Sequence, residues 1–181
     1  YKYDDGMKSF THDSRYLDII HIDPWKHYQD FDKGLQETID YINFIYLILD
    51  NKEIKFEVGT EESIRRFEPS ELERLLFELE KGLHPDAFQN IEYAVVQSGV
   101  GLDLGKQTNT GTFSPKRLEL FLNVCKKYDK KSKEHNGDYL TNKDYEDRFD
   151  LGLDSINIAP EFGQLETLCY LDEMKDDIED Y

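Results

Sequence analysis

The feature that most limits what this chain can fold into is an alternation. Five times over, a short run of strand character is followed by a longer run of helical period. The strand-like runs are Tyr16 to Asp23 (YLDIIHID), Ile54 to Gly59 (IKFEVG), Tyr93 to Gln97 (YAVVQ), Lys131 to His135 and Ser155 to Ala159 (SINIA). The fourth has almost no hydrophobic content and is placed by its position in the alternation. Between them, Phe31 to Leu49 carries Leu35, Ile39, Ile42 and Ile45 at helical spacing. Ser70 and Glu73 read as a capping box ahead of Leu72, Leu75, Leu76 and Leu79. Ser114 and Pro115 open a helix with Leu118, Phe121, Leu122 and Cys125, and Thr141 caps a short one that ends near Gly152. The last helix, entered through Glu161, has Leu165, Leu168 and Leu171. No element is assigned to the first dozen polar residues, and the acidic stretch 172–181 is expected to fray.

Parallel strands need crossover connections, so this order predicts an α/β fold, a parallel sheet covered by helices, in a single domain over 1–181. Two architectures fit: an open parallel sheet, or part of a (β/α)8 TIM barrel. A complete barrel needs roughly 250 residues, and the chain has 181, so length alone favours the open sheet. Acidic chains are often disordered, but 12 Tyr, 11 Phe and one Trp argue for a packed interior. A formal charge of −17 opposes nucleic acid and anionic membrane surfaces as partners. No apolar run is long enough to span a bilayer and no secretory signal is visible. The two cysteines, Cys125 and Cys169, form no C-x-x-C pair, so a reducing cytoplasmic setting is expected. The chain opens on Tyr1 rather than Met, which is consistent with a piece of something longer.

Polar residues gather at the carboxyl ends of the strands, the rim at which both architectures bind ligands. His21 and Asp23 end the first, Glu57 lies in the second, and Gln97, Ser98 and Gly99 leave the third. The fourth carries Lys133, Glu134, His135 and Asn136, and the fifth Asn157 and Glu161. Alternation directs His21 and Asp23 to one side of their strand; it separates Glu134 and Asn136 from Lys133 and His135. Asp23, Glu57, His135 and Glu161 suit a divalent cation, or acid–base work on a polyol or carbonyl compound. No H-E-x-x-H, G-x-S-x-G or phosphate-loop motif is present, which disfavours serine hydrolases and P-loop NTPases. The glycines at 99, 101 and 105 do not match G-x-G-x-x-G.

IHID at Ile20 to Asp23, FEVGTE at Phe56 to Glu61, VVQSGV at Val95 to Val100 and KEHNGDY at Lys133 to Tyr139 resemble successive strand ends of the class II D-tagatose-bisphosphate aldolases, particularly their non-catalytic subunit. GLDSINIAPEF, from Gly152 to Phe162, is similar to the last barrel strand of the wider class II aldolase group. The resemblance covers most of Ile20 to Thr167. It implies that the five strands are the last five of a TIM barrel. For a catalytic member it also implies zinc on three histidines and a carboxylate proton donor. His135 falls where one ligand belongs and Asp23 where the proton donor belongs. Pro24, however, stands where the enzymes have a second zinc-binding histidine. Asn136-Gly137-Asp138 replaces a loop of small residues that binds phosphate, and Pro160 replaces a phosphate-binding threonine. Those departures are compatible with the non-catalytic subunit.

The reading that follows is an aldolase-like barrel that binds or acts on a sugar phosphate. Asp23, Glu57 and Glu134 are the candidate catalytic groups, and His21 and His135 the candidate metal ligands. Gln97, Gly99, Lys133, Asn136, Asn157 and Glu161 are expected to contact substrate. Zinc is the first expected metal, Mg²⁺ or Mn²⁺ the second. The alternatives are a stabilising subunit paired with a catalytic aldolase chain, a homo-oligomer of the chain itself, and a metal-dependent sugar isomerase or epimerase.

Overall fold

The structure, a computed structural model, describes residues 3–48 and 53–175. Five parallel strands form one sheet: β1 (Ile19–Ile22), β2 (Lys55–Val58), β3 (Ile91–Val96), β6 (Lys131–Glu134) and β7 (Ser155–Ile156), in the order β1-β2-β3-β6-β7. That order follows the chain with no reversal. Right-handed crossovers between sequential parallel strands put every helix on the same face, as in a barrel, whereas a doubly wound sheet reverses its order and covers both faces.

The covered face carries Ile20, Ile22, Phe56, Val58, Ala94 and Val96. They share one core with Leu35, Ile42 and Ile45 of α2 (Phe31–Ile48), Leu72, Leu75, Leu76 and Leu79 of α3 (Pro69–Gly82), and Leu118, Phe121 and Leu122 of α5 (Pro115–Lys127). The opposite face alternates with it: His21 pairs in register with Glu57, and Val95 with Lys133. This second face corresponds to a barrel lumen.

Several elements differ from expectation. A helix, α1 (Tyr3–Asp13), occupies the polar stretch left unassigned, with Phe10 packed edge-on against Tyr41 at 5.0 Å. The first strand is shorter, because residues 14–16 turn after α1. Helix α3 starts earlier, at Pro69 rather than after Ser70. A proline is pre-set for the first helical position, and the Glu71 carboxylate accepts the Glu68 amide at 2.9 Å. A short helix, α4 (Pro85–Gln89), precedes β3, and a two-stranded hairpin, β4 (Leu102–Asp103) with β5 (Thr108–Asn109), fills the long glycine-rich loop. Ser114 and Thr141 cap α5 and α6 (Asn142–Asp150) as expected.

The last helix, α7 (Pro160–Glu173), buries none of its residues. Leu165, Leu168 and Leu171 are at least half exposed, as are Phe162 and Tyr170. Its apolar residues surround the axis instead of forming a stripe, and β7 lies at the sheet edge with nothing beyond it among the described residues. Asp172 and Glu173 are helical rather than frayed. Leu49 and the tail beyond 175 lie outside the described residues.

Candidate active site

Four side chains from three strands meet on the lumenal face. Glu57 is only 2% exposed and lies on β2, between β1 and β3. Its Oε2 accepts from Lys133 Nζ at 2.6 Å, and its Oε1 bonds His135 Nε2. His21 Nε2 lies 3.9 Å from the same Oε1 and 3.1 Å from the Gly59 carbonyl oxygen. The two imidazole rings sit 4.9 Å apart. His21, Glu57 and His135 can each present one ligand atom within 4.8 Å of the others. Period-two alternation creates this convergence: residues 21, 57, 133 and 135 occupy the face that the helices leave open.

The electrostatics keep these groups in distinct states. Burial opposes the Glu57 anion, but hydrogen bonds from His135 and Lys133 and the neighbouring positive charge outweigh it and hold the carboxyl down at about 2. Burial also pushes His21 down to about 4, against the pull of Glu57. At neutral pH the set therefore offers an ionised carboxylate and a neutral His21 imidazole, the forms that bind a metal. Two imidazoles and one carboxylate make a donor set that fits zinc.

Asp23 follows β1 at the rim. The next residues form a single 3-10 turn, Pro24–Lys26, anchored by Trp25, which is fully buried against Gly34 and Phe67. Asp23 Oδ2 accepts from Thr60 Oγ1 at 3.0 Å, while Oδ1 is buried without a partner. Burial raises this carboxyl to about 6, with Thr60 and Lys26 opposing. Both Asp23 and His21 line a cavity of about 730 Å³ whose other walls include Lys26, Tyr28, Tyr41 and Phe10. Sequence reasoning missed the α1 wall; Met7 and Phe10, three residues apart, were a thin apolar signal in an otherwise polar stretch.

A folded carboxyl raised above its unfolded value is stable in the protonated form, so that contribution is present below about pH 4 and is lost as pH rises through about 6. Asp23→Asn keeps the acceptor for Thr60 and removes the buried charge. In chelator-treated protein the variant is expected to be about 1–2 kcal/mol more stable than wild type at pH 8 and equal to it at pH 4, read from urea unfolding. Equal stability at pH 8 would contradict the placement of Asp23.

The remaining predicted site residues divide. Lys133 joins Glu57, as described. Gly99 is at the rim with φ +103°, where a Cβ would stand 1.9 Å from the Thr112 carbonyl oxygen, and its amide donates to Glu62 Oε2 at 3.0 Å. Asn136 lies in the left-handed region and donates to Glu61. Glu161 accepts the Tyr139 amide at 2.8 Å, and Asn157 is exposed beyond β7.

Two residues are turned away from the cluster. Gln97 is spent on backbone, accepting from Phe67 N at 2.7 Å and donating to Thr60 O and Arg65 O at 2.8 and 2.9 Å. Glu134 points to the helix side, where Arg148 Nε donates to it at 2.8 Å and Ser98 N and Oγ at 2.7 and 2.5 Å. Their polarity is consumed in holding the rim loops. Asn109, which ties those loops together, was not singled out from sequence. Asn109 Nδ2 donates to Asn136 O and Asp138 O at 2.9 and 3.1 Å.

No protein-family model matches the chain, and no curated protein matches it. Solved structures do. The YdjI aldolase of Escherichia coli K12 superposes with a TM-score of 0.65 at 13% identity, over 97% of this chain and 55% of that one. A protein of Coccidioides immitis assigned as a fructose-1,6-biphosphate aldolase gives a TM-score of 0.54 at 16% identity, over 83% of this chain and 46% of that one. The chain thus spans about half the length of the structures it matches. At these identities the likeness is one of fold: the five-stranded sheet has the α/β architecture of a TIM barrel, of the kind seen in aldolases.

Proposed function

We propose that the chain carries a metal-assisted site for carbonyl chemistry of the aldolase type, acting on a polyhydroxylated carbonyl compound. The observation that carries this reading is the convergence of His21, Glu57 and His135 at the ligand-binding end of an aldolase-like sheet. These three would hold the cation. Zinc bound there would polarise a substrate carbonyl as a Lewis acid. Asp23, with one buried oxygen unpartnered and a carboxyl raised toward neutrality, moves a proton at the carbon beside that carbonyl. Lys133 positions Glu57. The aldolase likeness brings a sugar phosphate with it as the substrate class, as in the tagatose-bisphosphate group, and the two cysteines, both without a disulfide, support a cytoplasmic setting. No helix among the described residues is long and apolar enough to cross a membrane.

The test is proton exchange at carbon. Incubated with zinc and dihydroxyacetone in D₂O, the protein is expected to exchange the substrate's C–H protons, followed by ¹H NMR, and Asp23→Asn is expected to slow exchange by about 10²-fold or more. Exchange that persists unchanged in Asp23→Asn, or none in wild type, would overturn the reading. A second reading, a stabilising subunit without chemistry of its own, is favoured by the uncovered apolar α7 and the open strand edges. It predicts stoichiometric co-purification with a catalytic aldolase chain.

A further inference from the structure

The geometry points to a second ligand site, at the end of the sheet opposite the metal cluster, that takes a small phosphate-bearing anion; this inference does not depend on the carbonyl-site reading. A cavity of about 520 Å³ opens at the amino ends of β2, β3 and β6, and four lysines line it: Lys55, Lys126, Lys130 and Lys131. Lys55 opens β2 and Lys131 opens β6, and the fold brings them together because both strands flank β3. Lys126 comes from the last turn of α5 and Lys130 from the turn that joins α5 to β6. Three acids share the lining: Glu92, Asp129 and Asp154. Four cations against three acids is a local inversion in a chain with 39 acids and 22 cations.

The acids do not use up the lysines. Asp154 Oδ2 accepts from Ser132 N and Oγ, at 2.8 Å from each. Among the described residues, Lys131 alone of the four is in an ion pair, with Glu92 at 2.8 Å. Lys55 and Lys130 are bonded to neutral acceptors at the close of α4. Lys55 Nζ donates to Asn90 Oδ1 at 3.3 Å and Lys130 Nζ to the Phe88 carbonyl oxygen at 2.9 Å. Lys130 is the most informative of them, since it is only 7% exposed and its ammonium also sits 4.2 Å over the Phe88 ring. A buried ammonium is rare without a counter-charge. Burial pulls Lys130 below its ordinary pKa; Asp129 and Glu80 oppose that, and the charge of Lys55 adds to it. Lys55 and Lys130 therefore repel each other, a cost that an anion between them removes. A phosphate group brings up to about two negative charges and several acceptor oxygens, enough to bridge Lys55, Lys126 and Lys130 through charge-assisted bonds. Lysine suits the task as a compact charge on a flexible stem. The −17 charge of the whole chain opposes long polyanions, so the ligand is free phosphate or a small phosphate ester.

Amide shifts test this. Inorganic phosphate titrated at constant ionic strength into ¹⁵N-labelled, chelator-treated protein is expected to shift the amides of Gln89, Asp129 and Gly152, which line the cavity, with a Kd on the order of 1 mM. Glycerol phosphate titrated in parallel tells an ester ligand from free phosphate by which of the two binds more tightly. Because Lys130 is buried, the variant that carries the test is Lys55→Met/Lys126→Met, which leaves Lys130 in place. It is expected to weaken binding of both probes about tenfold or more. Shifts at these amides that keep their wild-type affinity in the double variant would overturn the inference. So would the absence of any saturable shift there with either probe at up to about 20 mM.

Discussion

Glu57→Ala is expected to cost about 3–5 kcal/mol of folding stability at pH 7 and to abolish stoichiometric zinc binding. Glu57 is the shared acceptor of the cluster: Lys133 and His135 both bond it, and their side chains are only 17% and 12% exposed. Removing the carboxylate leaves the Lys133 ammonium on the sheet with no counter-charge, a far larger loss than the pair's net contribution to folding. The effect has a pH signature. Because the folded carboxyl is held at about 2, below its ordinary value of 4.5, its contribution is present above pH 4.5 and disappears as pH falls toward 2. The stability gap between wild type and Glu57→Ala should therefore be full at pH 6 and shrink steadily in acid. A gap that does not change with pH would mean that lost packing, not the ion pair, sets the cost. Urea unfolding across pH 3 to 7 separates the two.

Arg148→Met is expected to be of similar size, about 3–5 kcal/mol, against total stabilities of roughly 5–15 kcal/mol for domains of this kind. Arg148 is 1% exposed and Glu134 not at all. The guanidinium lies 4.1 Å above the Phe113 ring, donates to Glu134 and also donates to the Asp144 carbonyl at 3.0 Å. Methionine can fill the volume but leaves the Glu134 charge buried with only the Ser98 donors. The double variant Arg148→Met/Glu134→Gln, which removes both charges, is expected to recover part of the loss. Since Glu134 holds Ser98 at the start of the glycine-rich loop, Arg148→Met should also speed proteolysis within the β4–β5 hairpin around exposed Leu104. An unfolding midpoint within experimental error of wild type would show that the pair is dispensable.

The alternation was legible because a parallel sheet writes each βα unit as a strand run followed by a helical one. Strand β6 shows where that legibility stops. Its sequence KSKE puts Ser132 and Glu134 on the helix-packed face, where apolar residues belong. They are tolerated because Asp154 Oδ2 accepts from Ser132 N and Oγ at 2.8 Å, and because Arg148 and Ser98 satisfy Glu134. Partners 14 to 36 residues away leave no local trace. The same reason hid the role of Gln97, which reads as a rim residue and serves as a loop clamp. His21, Glu57 and His135 were legible because period-two alternation and the rim rule act without knowledge of partners. Helix α1 was not, since its few apolar residues find their purpose only in Tyr41, about thirty residues on. The apolar spacing of α7 was legible as helical, but its exposure was not, because periodicity reports a helix and not the surface that covers it.

The central claim is that His21, Glu57 and His135 form one metal site at the mouth of the sheet. Crystals of the wild-type protein grown with zinc, with data collected on either side of the zinc absorption edge, test it most directly. The account predicts a single strong anomalous peak bounded by the two imidazoles and the Glu57 carboxylate, with Lys133 released from that carboxylate oxygen or sharing it, and no such peak in Glu57→Ala. Zinc found only at surface carboxylates, with the Glu57 to His135 and Glu57 to Lys133 bonds intact, would contradict it.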